Sequence, residues 1–321
     1  MQMKAIIYEQ YGQPDVLQLK EVEKPVPKDN EVLVKIRAVS LNAYDWHILT
    51  ADIFLVRLNR GLLKPKIQIL GADIAGEVEA VGKEVRRFKP GDAVFGCLSG
   101  GGFAEYVAAP EKALALKPTN LTFEEAAAVP MAATTALQAL RDAGGLQAGQ
   151  KVLIHGAAGG VGTFAVQLAK LLGAEVTAVC STRNLEQSSQ LGADHVIDYT
   201  QEDFAQNPQS YDLILGVNGY RPLSDYRRAL APGGRYVMIG GTPAQIFQAL
   251  LLGPWMSRNG QKMGNMMATI RLQDLDYLKK LLEAGRLMPV IDKRYPLTET
   301  AHAMRYLGSG HARGKVVLTV E

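Results

Sequence analysis

Cysteine is nearly absent from this chain of 321 residues. Cys97 and Cys180 stand far apart in apolar surroundings, which excludes a disulfide framework and a cysteine-based metal site and leaves buried free thiols as the expectation. Histidine is scarce too, and His47, His155, His195, His302 and His311 show no metal-ligand spacing. No uninterrupted apolar run is long enough to span a bilayer. The opening "MQMKAIIYEQYG" carries an acid where a signal peptide would continue apolar, so the cytoplasm is the expected compartment. An excess of one charge is missing as well. With a net charge of +3 and no block of five or six like charges, neither nucleic acid nor an anionic membrane is implied as a partner. No internal repeat or low-complexity tract is present.

What is present is enough apolar residue, 47%, to build the cores of two domains. The first third holds short β-type runs, among them "KAIIYE", "EVLVKIRAVSLN", "IAGEVEAVG" and "AVFGCL", punctuated by Pro and Gly. That texture predicts a mainly β, barrel-like domain. From about Leu121, helical stretches alternate with the apolar strands "KVLIHG", "EVTAVC", "HVIDYT", "YDLILG" and "RYVMIGG". Strands alternating with helices predict a parallel, doubly wound α/β sheet. Near Leu272 the pattern shifts again, to a tail that either extends the second domain or returns to the first.

The stretch "HGAAGGVG", residues 155–162, joins a strand to a helix through crowded glycines. Free backbone N–H groups and the positive helix end converge at such a turn and make an anion site. Gly156, Gly159 and Gly162 stand three apart with Gly160 and Val161 between the last two, a spacing that admits a pyrophosphate. About twenty residues on, an NAD-binding strand usually ends in an acid that holds the ribose hydroxyls. Here "EVTAVC" runs into "STRN" instead. Ser181, Thr182 and Arg183 offer hydroxyls and a positive charge to a 2′-phosphate, so NADPH is the expected cofactor. The alternative is that Ser181 or Thr182 caps the helix starting near Asn184.

The motifs "ILGADIAGEVEAVG", "FKPGDAVFG", "GGFAEYV", "AAAVPMAATTALQAL", "HGAAGGVGTFAVQLAK" and "HARGKVVLTV" follow one another in an order that resembles the medium-chain dehydrogenase/reductase superfamily, within it the zinc-free quinone oxidoreductase branch. The resemblance implies a GroES-like β domain at 1–120, a Rossmann domain at 121–270, a return to the first domain at 271–321, and a homodimer joined through the Rossmann sheet edges. Zinc-dependent relatives take a Cys ligand from the segment matching "SLNAYDW" and a His from the one matching "GAD"; this chain has Asn42 and Ala72 there, and no four-cysteine lobe. Neither side chain replaces a thiolate or an imidazole, so no metal is expected.

Without a Lewis acid, hydride transfer favours an acceptor activated by conjugation, a quinone or an α,β-unsaturated carbonyl. A zinc-independent NADP-linked alcohol or aldehyde dehydrogenase is the second reading, and an NADPH-binding protein with a sensing or structural role and little turnover is the third. The resemblance implies that Asn42 of "NAYDWH" faces nicotinamide and substrate, polarising the acceptor oxygen or fixing the cofactor, with Tyr44 as a second donor. Trp46 and His47 are candidate substrate contacts, with ordinary aromatic packing the alternative for Tyr44 and Trp46; Asp45 reads as a buried structural acceptor. His47 stands where relatives often carry Tyr. Thr135 is implied near the nicotinamide, Tyr199 beside the adenosine phosphate, and Val217 and Asn218 along the ribose. Lys315 reads either as a contact to the cofactor phosphates or as a solvated edge-strand lysine. Segment 52–66, apolar and basic, is expected to wall the substrate pocket or to pack as a surface helix, with Arg57 and Arg60 solvated.

Overall fold

The computed structural model describes residues 1–206, 210–218, 220–241, 257 and 260–321. They form two units, Met1–Met131 with Ile270–Glu321, and Ala132–Thr269.

In the first unit β1 (Gln2–Ile7) pairs antiparallel with β2 (Gln18–Glu23). The long strand β3 (Glu31–Leu41) buries Val32, Val34, Ile36, Val39 and Leu41 and pairs antiparallel with both β4 (Asp73–Val81) and β6 (Tyr106–Pro110). Between β3 and β4 lie α1 (Ala43–Thr50) and α2 (Phe54–Arg60). β5 (Ala93–Cys97) and β7 (Leu114–Leu116) extend the sheet beyond β4. The helix α3 (Phe123–Ala127) starts at a capping box between Thr122 and Glu125 and packs on β3 and β4.

The chain enters the second unit within α4 (Pro130–Gln138), so the first boundary falls at Met131 and not at residue 120. The reason is local: α3 belongs to the β core, and the Met131 N–H donates to Asp73 at 3.1 Å. The second unit carries β8 (Lys151–His155), α5 (Gly160–Leu171), β9 (Glu175–Cys180), α6 (Leu185–Gln190), β10 (His195–Asp198), β11 (Tyr211–Gly216), α7 (Leu223–Ala229), β12 (Leu230–Met238) and β13 (Lys262–Asn265). All pairings are parallel, in the order β10-β9-β8-β11-β12-β13. The order reverses direction at β8, which puts the glycine turn at the switch point of a doubly wound sheet.

The tail returns to the first unit. After α8 (Leu272–Glu283), β14 (Ile291–Pro296) and α9 (Thr300–Gly308), the last strand β15 (Lys315–Thr319) lies between β14 and β3. β15 is therefore not an edge strand, and the solvated-edge reading of Lys315 does not hold. Among the described residues no helix is long and apolar enough to cross a membrane.

Candidate functional site

The carboxyl ends of β8, β9, β10 and β11 gather the residues expected to hold a dinucleotide. Cys180 pairs with Asp198 and His155 pairs with Val179 and Gly216, so the segments that follow these strands emerge side by side. After β8, Gly156 turns the chain at φ +91°, a conformation that favours glycine. A Cβ on Gly162 would sit 2.1 Å from the Gly156 carbonyl, so that glycine serves the packing of α5 on its own turn. Gly159 differs: its φ is −79°, and the nearest atom to an added Cβ is 3.8 Å away. The space in front of it is open. Gly160, Val161 and Gly162 supply the first N–H groups of α5, and no side chain caps them. An open cradle facing an uncapped helix N-terminus fits a pyrophosphate.

After β11 the N–H groups of Val217 and Asn218 donate to the His155 carbonyl at 3.0 and 3.4 Å, which ties this segment to the turn. The His155 ring is buried, shares a 2.7 Å hydrogen bond with the Tyr226 hydroxyl, and meets Phe204 edge-on. Burial, helped by the Arg221 charge, pushes its pKa down to about 4. The ring is neutral and structural at neutral pH.

After β9, neither Ser181 nor Asn184 places its side chain as a helix cap. The Ser181 hydroxyl accepts from Asn184 Nδ2 at 3.1 Å, and the Thr182 hydroxyl donates to Asp198 Oδ2 at 2.5 Å. Asp198 also accepts from the Thr200 N–H and hydroxyl, at 2.9 and 2.8 Å, and the Thr182 hydrogen bond leads the effects that lower its pKa. Sequence reasoning missed this acid because it arrives on the neighbouring strand. Tyr199 follows it and is exposed, while Thr135 is buried on α4.

In the first unit four adjacent strands bring their ends to one buried point. β15 begins at Lys315, β3 ends just before Asn42, β4 begins at Asp73 and β5 ends at Cys97, and the register pairs Val316 with Leu41, Ser40 with Asp73, and Asp73 with Cys97. Lys315 Nζ donates to Asn42 Oδ1 at 2.5 Å and to the Leu41 carbonyl at 3.0 Å, and lies 3.8 Å from Asp73. Asn42 Nδ2 in turn donates to Asp73 at 3.1 Å and to the Ser40 carbonyl at 3.3 Å. Asp45, one turn into α1, accepts from the N–H groups of Asn42 (2.9 Å) and Gly71 (3.1 Å).

Burial pushes each titratable member of this cluster toward its neutral form. It raises Asp45 to about 7, raises Asp73 and Cys97, and lowers Lys315. Two expectations change here. Lys315 spends its protons inside the first unit and is not a phosphate contact. Asn42 has both amide hydrogens and its oxygen engaged, so it keeps no proton with which to polarise an acceptor oxygen. Asp45 is the structural acceptor that was expected.

The other side chains of α1 divide by face. The Trp46 ring edge lies where a Cβ on Gly308 would sit, 2.3 Å away, and the half-buried ring packs on the core, which favours the packing alternative. Tyr44 and His47, three residues apart, share another face. The Tyr44 hydroxyl accepts from Arg60 and directs its own proton toward the Ser99 carbonyl over a long 3.5 Å. Burial raises the Tyr44 pKa, and the Arg60 charge opposes that rise. Arg60 is thus engaged by Tyr44 and the Ser99 carbonyl, and Arg57 stacks 4.9 Å from the Tyr11 ring centroid. The segment carrying them is the helix α2, followed by the exposed Leu62 and Leu63. His47 Nδ1 meets the Asp52 carboxylate at 2.9 and 3.0 Å.

Of the residues missed, Asp73 carried a signal in the sequence, an acid set inside the apolar run "ILGADIAG". Arg60 and Asp52 carried none, since only the path of the chain after α1 brings them to Tyr44 and His47.

Residues 28–119 match the family model described as alcohol dehydrogenase GroES-like domain, and residues 191–318 match that described as zinc-binding dehydrogenase. The chain is 36% identical to the chloroplast envelope quinone oxidoreductase homolog of Arabidopsis thaliana, over 98% of each chain. It is 35% identical to the chloroplastic NADPH-dependent alkenal/one oxidoreductase of the same plant, over 99% of this chain and 79% of that one. Among solved structures, the quinone oxidoreductase from Coxiella burnetii aligns over 100% of both chains with a TM-score of 0.88 and 31% identity.

Proposed function

The chain belongs to the zinc-free quinone oxidoreductase branch of the medium-chain dehydrogenase/reductase superfamily, and from that premise we propose an NADPH-dependent, metal-independent reductase that acts on a quinone or an α,β-unsaturated carbonyl. The observation that carries this reading is the Lys315–Asn42–Asp73 cluster. At the place where zinc-dependent relatives hold their catalytic ion, an ammonium already supplies the positive charge. A zinc ion does not fit there: Asn42 and Ala72 are not ligands, the amide is saturated, and among the described residues no group of His, Cys, Asp or Glu forms a metal site. The names of the relatives, a quinone oxidoreductase homolog and an alkenal/one oxidoreductase, support acceptors activated by conjugation.

NADPH supplies hydride when bound. Gly159, Gly160 and Val161 would receive its pyrophosphate, with Thr135, Val217 and Asn218 toward the nicotinamide and ribose. Arg183, Ser181 and Tyr199 would border the 2′-phosphate. The helix-capping alternative for "STRN" loses support because Ser181 makes no side-chain cap and the Thr182 hydroxyl donates to Asp198. Asp198 does not restore a preference for NADH, since Thr182 and Thr200 already occupy its carboxylate. Tyr44 is the donor for the acceptor oxygen: Arg60 holds its oxygen and polarises its O–H, whose present bond is weak. Asn42 acts as a positioning residue, holding the start of α1 against the cluster. The cytoplasm and a homodimer joined through the Rossmann sheet edges complete the proposal.

The test is NADPH oxidation against a panel of quinones, enones, aldehydes and simple ketones, with and without chelator. Reduction of quinones or enones that survives chelation is expected. Turnover confined to simple aldehydes and alcohols, or tight NADPH binding with no turnover on the whole panel, would replace this reading with one of its two rivals. One tightly bound zinc per chain, lost together with activity, would end the metal-free assignment.

A further inference from the structure

An enone needs more than hydride. Once its β-carbon has been reduced, the enolate must take a proton on carbon, which is slow without a positioned acid. The mechanism above assigns no group to that step.

His47 carries the arrangement such an acid requires. Its Nδ1–H donates to both oxygens of Asp52, which sets the tautomer and fixes the orientation of the ring. Its Nε2 has no hydrogen-bond partner among the described residues, and the side chain is 27% exposed. The pair is built by an unusual piece of backbone. Ala51, which ends α1, sits in the left-handed region at φ 47°, the one non-glycine residue among those described to do so. That conformation is costly for alanine. Its effect is to reverse the chain so that Asp52 returns to the last turn of α1 and meets His47. A helix-capping glycine would relieve the strain, and the chain does not use one. His47 also shares its face of α1 with Tyr44, three residues before it.

Resting on the reductase reading above, we infer that His47, oriented by Asp52, is the proton donor to the α-carbon of an α,β-unsaturated carbonyl. A hydride supplied at the β-carbon would form the new C–H bond there and move the electron pair of the C=C bond into the enolate. The enolate then forms its α C–H bond with the proton on His47 Nε2, leaving a neutral imidazole whose Nδ1–H remains on Asp52. Solvent returns the proton, so each turnover consumes one NADPH and one proton and yields the saturated ketone. A quinone makes no such demand, because a hydroquinone oxygen takes its proton from water unaided.

The experiment uses 3-methylpent-3-en-2-one, whose reduction creates a stereocentre at the α-carbon, beside 1,4-benzoquinone. In His47→Gln the enone rate is expected to fall on the order of a hundredfold further than the quinone rate, and the ketone, formed from an enolate protonated in bulk water, is expected to be racemic. In Asp52→Asn the enone rate falls while the enantiomeric excess survives. Parental enantiomeric excess from His47→Gln, or an equal loss of enone and quinone rates, overturns the assignment of His47. A parent protein inert toward both acceptors overturns the reductase reading itself.

Discussion

Lys315 and Asn42 are joined by a 2.5 Å hydrogen bond from ammonium to amide oxygen, at the point where β15 begins and β3 ends. Lys315 is also the cation that faces the buried carboxylates Asp73 and Asp45. Lys315→Met keeps much of the stem and deletes the charge. Leaving two buried carboxylates without their cation is expected to cost about 3–5 kcal/mol, read from urea unfolding. NADPH affinity of the folded protein should hold. Weak NADPH binding with little loss of stability would return Lys315 to the phosphate role that its burial denies it.

Asp45 predicts a pH dependence on the neutral side. Burial raises its folded carboxyl to about 7 from an ordinary 3.8, so between those values the folded state holds a proton that the unfolded state has released. Stability contributed by this group is therefore present below the lower value and lost as pH rises toward the upper one. Asp45→Asn cannot titrate, and its urea midpoint should vary less across that window. Its amide hydrogens must face the Asn42 or Gly71 N–H, so it should also be weaker overall by about 1–3 kcal/mol. A variant whose pH profile parallels the parent's would place the titration elsewhere.

His155 predicts the opposite slope. Its folded pKa is pushed down to about 4 from 6.5, so the unfolded state binds the proton first and stability is lost as pH falls between them. In His155→Gln, acid unfolding of the Rossmann unit should begin at lower pH. Hydrogen exchange at the glycine turn, followed from pH 6.5 to pH 4, checks it.

Gly159 and Gly162 separate binding from folding. An added side chain at Gly159 meets open space, whereas one at Gly162 strikes the Gly156 carbonyl. Gly159→Val should fold and lose NADPH, while Gly162→Val should fail at the level of folding. A folded Gly159→Val with parental affinity would mean that pyrophosphate does not lie on the turn.

Arg183 decides the cofactor. Loss of a charge-assisted hydrogen bond to the 2′-phosphate in Arg183→Ala is expected to cost about 1.5–3 kcal/mol, on the order of tenfold to a hundredfold in NADPH affinity, with NADH hardly changed. Added salt should weaken NADPH binding more in the parent than in the variant. Equal losses for both cofactors, or none, would remove Arg183 as the reader of the phosphate.

The glycine turn and the strand ends around it were legible in the sequence because they are local. A strand, a glycine turn and a helix start are consecutive residues, and the segments after β9, β10 and β11 are each found at a strand end, where parallel topology must bring them together. The β domain was legible from its short alternating runs, although its boundary ran on to Met131 because α3 packs there. The first-unit cluster was not legible. Asp73, Cys97 and Lys315 lie on three strands and Asn42 just past the end of a fourth, and their meeting depends on antiparallel register, in which a shift of one residue would turn each strand side chain to the other face. A lysine in "GKVVL" has the same local sequence whether its strand lies at an edge or in the middle of a sheet. Only the tertiary structure decided that β15 is flanked on both sides, that Lys315 is buried, and that its charge is answered by carboxylates far away along the chain.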